Sequence, residues 1–327
     1  MATLTTNLFH GMGEVDLRLD VVEGHWPADM DGAVFVVGPD KRSPGGHWFS
    51  EHGLVLRIDC RPGADGTVAV RSRRIDTPVA RLRRRFPNLF RQWEFMEVSP
   101  FGVTNLANTN LQPIDGRLFV GYDAGRPIEV DPETLEYLTA VGGNDEWYQS
   151  APGVLEPLVS VAAHPAPAFD ERALYFVNYS PLPGGGRHLA RWGLNGPVER
   201  WPLEGMGEFD SIHDIKATRD HLVICDLPFV MDATFGGGER TRANQVVTRL
   251  WIVKKADLRA TPPGEPVPVT ALEVPFPTGH LSVDHDNPAG RVVVNLEHIP
   301  VADRPSRWAP TWSITAMVGR STPSTKA

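Results

Sequence analysis

Three histidines of this chain occur in the same local setting. His164, His213 and His280 each lie near the start of an extended segment, and each is followed about ten residues later by a turn and a second apolar strand. Imidazole is the commonest metal ligand among protein side chains. The repeated context therefore predicts that histidines from separate hairpins converge on one axis, where they form a candidate metal site.

The types of neighbouring residue restrict the chemistry of this site. Ligation by imidazoles without thiolates suits Zn, Fe, Cu or Ni, so these residues alone leave the metal open. His213 and Asp214 are adjacent and are expected to point to opposite faces of a strand, so Asp214 is not expected to share the metal with His213. The sequence contains neither His-Glu-x-x-His nor Gly-x-Ser-x-Gly, which gives no support to a zincin or a serine hydrolase.

The elements that must carry the histidines are predicted to be β-strands. Short apolar runs alternate with turns rich in Gly, Pro, Asp and Asn, a pattern typical of an all-β sandwich, barrel or propeller. The strand candidates are residues 33–37, 54–58, 68–72, 118–122, 174–178, 222–226, 247–253 and 292–296. His164 and His213 are 49 residues apart, close to the length of a propeller blade. A propeller also brings equivalent strand starts to a common axis, which a sandwich does not readily do.

One segment, Val79 to Glu97, has a helical pattern in which arginines alternate with large apolar residues, and Pro87 is expected to break it. The simpler interpretation is an amphipathic connection packed on the β core. The alternative is a peripheral membrane contact that collects an apolar substrate.

Bulk composition excludes several classes of protein. The net charge of -8 argues against a nucleic-acid partner, whose binding surface would be basic. No apolar stretch is long enough for a transmembrane helix, and no signal peptide is recognised at the N-terminus. Cys60 and Cys225 each fall in an apolar run, and two buried free thiols favour a cytoplasmic location. The composition gives no indication of oligomeric state.

Several motifs together resemble those of the carotenoid cleavage oxygenases, the family of retinoid isomerohydrolase and the stilbene-cleaving dioxygenases. Residues 47–54 are similar to the family's His-Trp-Phe-Asp-Gly-Asp-Gly hairpin, and residues 105–110 resemble its Asn-Thr-Asn segment. His164 in Ala-His-Pro and His213 in Ile-His-Asp resemble its first two metal ligands. Further similar segments are residues 23–32 and 131–136.

This resemblance implies a seven-bladed β-propeller with Fe(II) on its axis. Four histidines hold the iron in the family, and three glutamates orient three of those histidines, which fixes the ring tautomer. The implied reaction adds O2 across a carbon-carbon double bond of a carotenoid, apocarotenoid or stilbene-like substrate. An apolar tunnel is also implied, with Phe49, Trp93, Phe95, Phe101 and Trp147 as candidates, although core packing explains these aromatic residues equally well.

Two positions depart from the family pattern. The third metal histidine corresponds to His280 within residues 278–282, a weaker match for which His285 is the fallback. The position of the first orienting glutamate is Asp123. Aspartate is one methylene shorter than glutamate, so its hydrogen bond to a histidine is expected to need a bridging water.

The largest departure is length, because family members are longer and carry their fourth histidine near the C-terminus. No fourth ligand is found beyond His280, since His285 and His298 lie too close to it. The sequence therefore predicts a single, incomplete propeller domain over residues 1–310, lacking its last blades, and a disordered tail over 311–327. The alternative function is an inactive family fragment that binds metal weakly, or an apolar ligand without catalysis.

Overall fold

Regular structure in this protein is almost entirely β. A computed structural model describes residues 13–27, 30–40, 51–93, 96–100, 102–123, 125–143, 146, 160–179, 187–203, 205–206, 211–227, 229–230, 240–241, 247–276, 278–286, 291–298 and 312–318. The chain divides into two compact units, one of residues 1–144 and 151–159 and the other of residues 145–150 and 160–327. The all-β prediction is confirmed, whereas the single domain over 1–310 stays a prediction.

Three antiparallel sheets are described in the first unit. Sheet I has the strand order β1-β4-β3-β2, sheet II the order β5-β6-β7, and sheet III the order β11-β10-β9-β8. The strands are β1 (Val15–Leu19), β2 (Ala33–Pro39), β3 (Gly53–Asp59), β4 (Val68–Arg74), β5 (Arg91–Trp93), β6 (Met96–Ser99), β7 (Gly102–Val103), β8 (Asn110–Ile114), β9 (Arg117–Gly121), β10 (Ile128–Val130) and β11 (Tyr137–Ala140). Val55 of sheet I packs with Leu118 and Val120 of sheet III in one apolar core.

The predicted helix after sheet I is shorter than its pattern indicated. Helix α1 (Pro78–Arg85) begins where the Thr77 hydroxyl accepts a hydrogen bond from the amide of Ala80. It ends before Phe86, and Pro87 starts a single 3-10 turn. The break predicted at Pro87 is therefore confirmed, but the chain beyond it forms β5 and β6. A peripheral membrane contact by this segment stays a prediction.

Three larger sheets and one two-stranded sheet are described in the second unit. Sheet IV has the order β12-β14-β15-β16, with β13 also paired to β14; sheet V has the order β17-β18-β21-β22, and sheet VI the order β23-β24-β25. The strands are β12 (Ser160–Val161), β13 (Ala166–Ala168), β14 (Ala173–Tyr179), β15 (Arg187–Trp192), β16 (Val198–Pro202), β17 (Ser211–Ala217), β18 (His221–Leu227), β19 (Phe229–Val230), β20 (Arg240–Thr241), β21 (Thr248–Lys254), β22 (Thr270–Val274), β23 (Thr278–Val283), β24 (Val292–His298) and β25 (Trp312–Val318). Strands β19 and β20 pair separately, and α2 (Lys255–Ala260) follows β21.

Sheet V lies between two apolar cores. Leu222 and Ile224 of β18 pack into a core shared with Tyr175 of sheet IV. The alternate residues Val223 and Cys225 pack with residues of sheet VI. Successive side chains of a strand point to opposite faces, so this division shows that sheets IV and VI cover the two faces of sheet V.

Each strand predicted from the sequence overlaps an observed strand, and both cysteines are buried and free. Strand β25 falls within residues 311–327, for which the sequence predicted a disordered tail. Its backbone pairs with β24 from Trp312 to Val318. The physical reason is an alternation of apolar with polar residues over 312–316, a strand pattern that the polar composition of the following residues obscured.

Gly53 gives a test of how sheet I is held in the first unit. Its amide donates to the Leu106 carbonyl at 2.8 Å, and a Cβ at this position would lie 1.9 Å from the Ala107 carbonyl oxygen. We expect Gly53→Ala to lower the free energy of unfolding by about 1–3 kcal/mol, because the backbone must move apart. Urea denaturation measures this change.

Gly38→Ala is the matched control in the same sheet. No described atom lies within 4 Å of a Cβ at Gly38. This variant should leave the free energy of unfolding unchanged or slightly increased, because alanine loses less backbone entropy than glycine. Equal stabilities of the two variants would contradict the close approach at Gly53.

Candidate metal centre

His164 lies in the segment between β12 and β13, the two short strands at one edge of sheet IV. Strands β12 and β13 both pair with β14, but residues 162–165 between them are opposite only Phe176 and Val177. The amide of His164 donates a hydrogen bond to a residue of another sheet, at the His213 carbonyl of sheet V, over 3.1 Å. This segment has more residues than the part of β14 that it faces, so its backbone extends to sheet V at His164.

His213 and His280 also occupy irregular positions in their strands. In β17 the register shifts between Ile212 and Asp214, which lie opposite the consecutive residues Asp226 and Cys225, so His213 is an extra residue in a bulge. In β23 it shifts between Thr278 and Leu281, which places His280 in the bulge. Bulges redirect side chains away from strict alternation, and they are common beside active sites.

The three imidazoles form a compact group. Their ring centroids lie 4.6 Å apart for His164 and His213, 4.8 Å for His164 and His280, and 5.0 Å for His213 and His280. One nitrogen from each ring lies within 4.8 Å of the others. The convergence predicted from the repeated sequence context is therefore present in the fold.

The donor set fits a divalent transition metal. The Nε2 atoms of His164 and His213 are 3.1 Å apart. Two nitrogens bound at right angles to one ion, each at about 2.1 Å, would be about 3.0 Å apart. Three imidazoles without a thiolate suit borderline metals such as Zn, Fe, Cu or Ni, as the sequence indicated.

The electrostatic environment keeps the His164 ring available as a ligand. Burial, reinforced by the nearby His213 ring, lowers the pKa of His164 to about 2. The neutral ring keeps a lone pair free for coordination, whereas a protonated imidazole has none. The His280 side chain is 41% exposed, so the group is accessible from one side.

Asp214 contacts the group although it is not one of its members. Its Oδ2 lies 3.4 Å from Nδ1 of His280, and its Oδ1 is paired with Lys216. Burial would raise the pKa of Asp214, but the His280 contact and the Lys216 charge outweigh it and hold the pKa below its ordinary value. The expectation that Asp214 is not a ligand beside His213 agrees with this geometry, but its reason was wrong. The bulge at His213 breaks the alternation, and both side chains reach His280.

Comparison with known proteins identifies the family. Residues 9–298 match the model of the retinal pigment epithelial membrane protein family. The chain belongs to this family. A curated relative, the chloroplastic carotenoid cleavage dioxygenase 7 of Oryza sativa subsp. japonica, is 32% identical over an alignment of 138 positions that covers 37% of this chain and 22% of that relative. The aligned part thus spans about a fifth of the relative.

Solved structures share the fold at low sequence identity. A single-residue variant of the Synechocystis apocarotenoid oxygenase superposes with a TM-score of 0.65 at 17% identity, covering 95% of this chain and 69% of that one. Its cobalt-substituted form gives 0.67, at the same identity and coverage. The lignostilbene dioxygenase of Pseudomonas brassicacearum gives 0.63 at 20% identity, covering 88% of this chain and 59% of that one.

These likenesses confirm the predicted fold class, the all-β propeller of the carotenoid oxygenase type. The count of seven blades stays a prediction, as does the cytoplasmic location. Among the described residues, no helix combines the length and the apolar character that crossing a membrane requires.

Two other predicted site residues, Asp123 and His285, are not members of the imidazole group. Asp123 lies in the first unit directly after Tyr122, and its charge adds to burial in raising the pKa of that tyrosine. Its role in orienting a histidine stays a prediction. His285, the fallback ligand, accepts a hydrogen bond at its backbone carbonyl from Arg219 and is not part of the imidazole group.

The aromatic candidates for an apolar tunnel are not described at the level of side chains. Phe49, Phe95, Phe101 and Trp147 lie outside the described residues. Trp93 lies in β5, where only its backbone is described. The proposed tunnel lining therefore stays a prediction.

Metal binding by the imidazole group can be tested through stability. We expect Co²⁺ to raise the melting temperature of the full chain, because a ligand that binds only the folded state stabilises it by about 2.7 kcal/mol at 100 times its Kd. His213→Ala should abolish this gain, since two imidazoles remain. Differential scanning calorimetry with and without CoCl2 measures it.

His221→Ala is the matched control, because His221 lies in the neighbouring strand of the same sheet and outside the imidazole group. It should retain the full gain in melting temperature. A gain that persists in the His213 variant would show that Co²⁺ binds elsewhere.

Proposed function

We propose that this protein is a non-haem, Fe(II)-dependent dioxygenase that cleaves a carbon-carbon double bond of a carotenoid, apocarotenoid or stilbene-like substrate. The observation that carries the proposal is the group of three imidazoles, with its 3.1 Å separation of Nε2 atoms, in a member of this family. The names of the similar proteins, which include an apocarotenoid oxygenase and a lignostilbene dioxygenase, support the substrate classes.

The overall reaction needs no further reactant. An alkene and O2 yield two carbonyl compounds, each taking one oxygen atom, so the electrons lost by the carbon-carbon double bond are those gained by O2. Iron, when bound, would supply the one-electron chemistry that the activation of O2 requires. No external reductant enters the balance.

The residues of this chain would hold and orient the metal. His164, His213 and His280 are the proposed ligands, and the three rings come from three different sheets. The neutral state of His164 at physiological pH leaves a lone pair for the ion. The exposed side of His280 leaves room for an apolar substrate to approach the group.

The second candidate function is a family member that binds metal weakly, or an apolar ligand, without catalysis. What favours it is the number of histidines in the imidazole group. Only three histidines form the group among the described residues. Three ligands would bind an ion less tightly than the four that the family resemblance implies.

An oxygen-dependent cleavage assay distinguishes these functions. We expect the iron-loaded full chain to consume the polyene absorbance of an apocarotenal, or the absorbance of a hydroxystilbene, and to release aldehydes detectable by mass spectrometry. Products formed under ¹⁸O2 should carry the label. His164→Ala should lower the rate at least 100-fold, because it removes one of the three proposed ligands.

His221→Ala should keep the wild-type rate in the same assay. Anaerobic incubation should leave the substrate intact. Protein that binds iron at the three histidines but leaves both substrates unchanged would contradict the dioxygenase and favour the non-catalytic alternative.

A further inference from the structure

We propose that Asp214 is a positioning residue that fixes the tautomer and the orientation of His280 for metal binding. This inference rests on the proposed function of the imidazole group. The sequence pattern assigned no role to Asp214, and the resemblance to the family placed the orienting carboxylates elsewhere. The geometry assigns that task to a carboxylate in the same strand as a ligand, one residue after His213.

The contacts of Asp214 link all three ligand segments. Its backbone forms a parallel bridge with His164. Its Oδ2 accepts a hydrogen bond from the amide of Leu281 at 3.2 Å and lies 3.4 Å from Nδ1 of His280. The carboxylate therefore contacts both the ring of His280 and the amide of the next residue, Leu281. These contacts lie where β23 shifts register.

The chemistry of the contact determines which nitrogen of His280 is free. A carboxylate can only accept hydrogen bonds, so it favours the proton on Nδ1 and leaves the lone pair on Nε2. Carboxylate partners of this kind fix the tautomer of metal-bound histidines and raise the basicity of the ligand. With Nδ1 engaged by Asp214, Nε2 is the nitrogen left for the metal.

The Asp214 carboxylate is buried, and each of its oxygens has a partner. The side chain is 1% exposed, and Lys216 pairs with its other oxygen. The two oxygens thus have separate partners, one a cation and the other the His280 segment. This division allows the two contacts to be removed independently, because Lys216→Met leaves the contacts of Oδ2 in place.

The test compares three full-length proteins: Lys216→Met, Asp214→Asn/Lys216→Met and Asp214→Leu/Lys216→Met. The Lys216→Met background avoids an unpaired lysine when the carboxylate is removed. Asparagine keeps an acceptor oxygen without the charge, and leucine keeps the shape without an acceptor. Three quantities are measured: the Co²⁺ dissociation constant by titration with CoCl2, the visible spectrum of the cobalt protein, and the tautomer of His280 in metal-free protein by ¹⁵N NMR.

We expect cobalt affinity to fall in the order of these variants, with a 10- to 100-fold loss for the leucine variant. The cobalt spectrum should change with it, and His280 should gain Nε2-protonated tautomer in metal-free protein. A residue that served only the stability of the fold would change the melting temperature and leave the tautomer and the cobalt spectrum unaltered.

Affinities within twofold of one another, together with an unchanged spectrum and tautomer, would overturn the role of Asp214. If the leucine variant does not fold, the asparagine variant decides by the same criteria. Failure of wild-type protein to bind Co²⁺ would defeat the proposed function instead. The tautomer measured without metal would then still decide whether Asp214 orients His280.

Discussion

The imidazole group depends on breaks in regular strand pairing. Packed sheets lie about 10 Å apart, so side chains in regular register on separate sheets do not easily meet at one ion. The hydrogen bond from the His164 amide to the His213 carbonyl shows that the backbone of residues 162–165 has crossed this gap. The extra residues at His213 and His280 are the corresponding breaks in sheets V and VI. The regular pairing on either side of each break holds it in place.

Electrostatics then determines whether the converging rings can act as ligands. Burial of His164 favours the neutral form, which is also the form that binds metal. Asp214 is the opposite case, a buried carboxylate that keeps its charge through Lys216 and His280. The neutral His164 ring can thus bind a metal, and the charged Asp214 carboxylate can orient the neighbouring His280 ring.

The sequence predicted the strands and the convergence of His164, His213 and His280 because both follow from local patterns. Apolar alternation and turn residues give the strands, and repetition of one histidine context gives the common site. The role of Asp214 could not be read in this way. Alternation placed its side chain on the face opposite His213, and no sequence signal marks the bulge that breaks the alternation. Likewise, the helical spacing of residues 79–97 did not reveal that tertiary pairing forms β5 and β6 beyond Pro87.

The arrangement of the second unit explains why the ligand geometry can be precise despite these irregularities. Strand β18 is regular, and it fills both flanking cores with alternate side chains, Leu222 and Ile224 on one face and Val223 and Cys225 on the other. Its partner β17 carries His213 and Asp214 and is held to it on either side of the bulge. Leu281, directly after His280, packs into the same core as Val223 and Cys225. The irregular ligand positions are therefore each adjacent in sequence or in pairing to a fully buried apolar residue. This packing restricts how far the bulges can move, which helps to keep the imidazoles together.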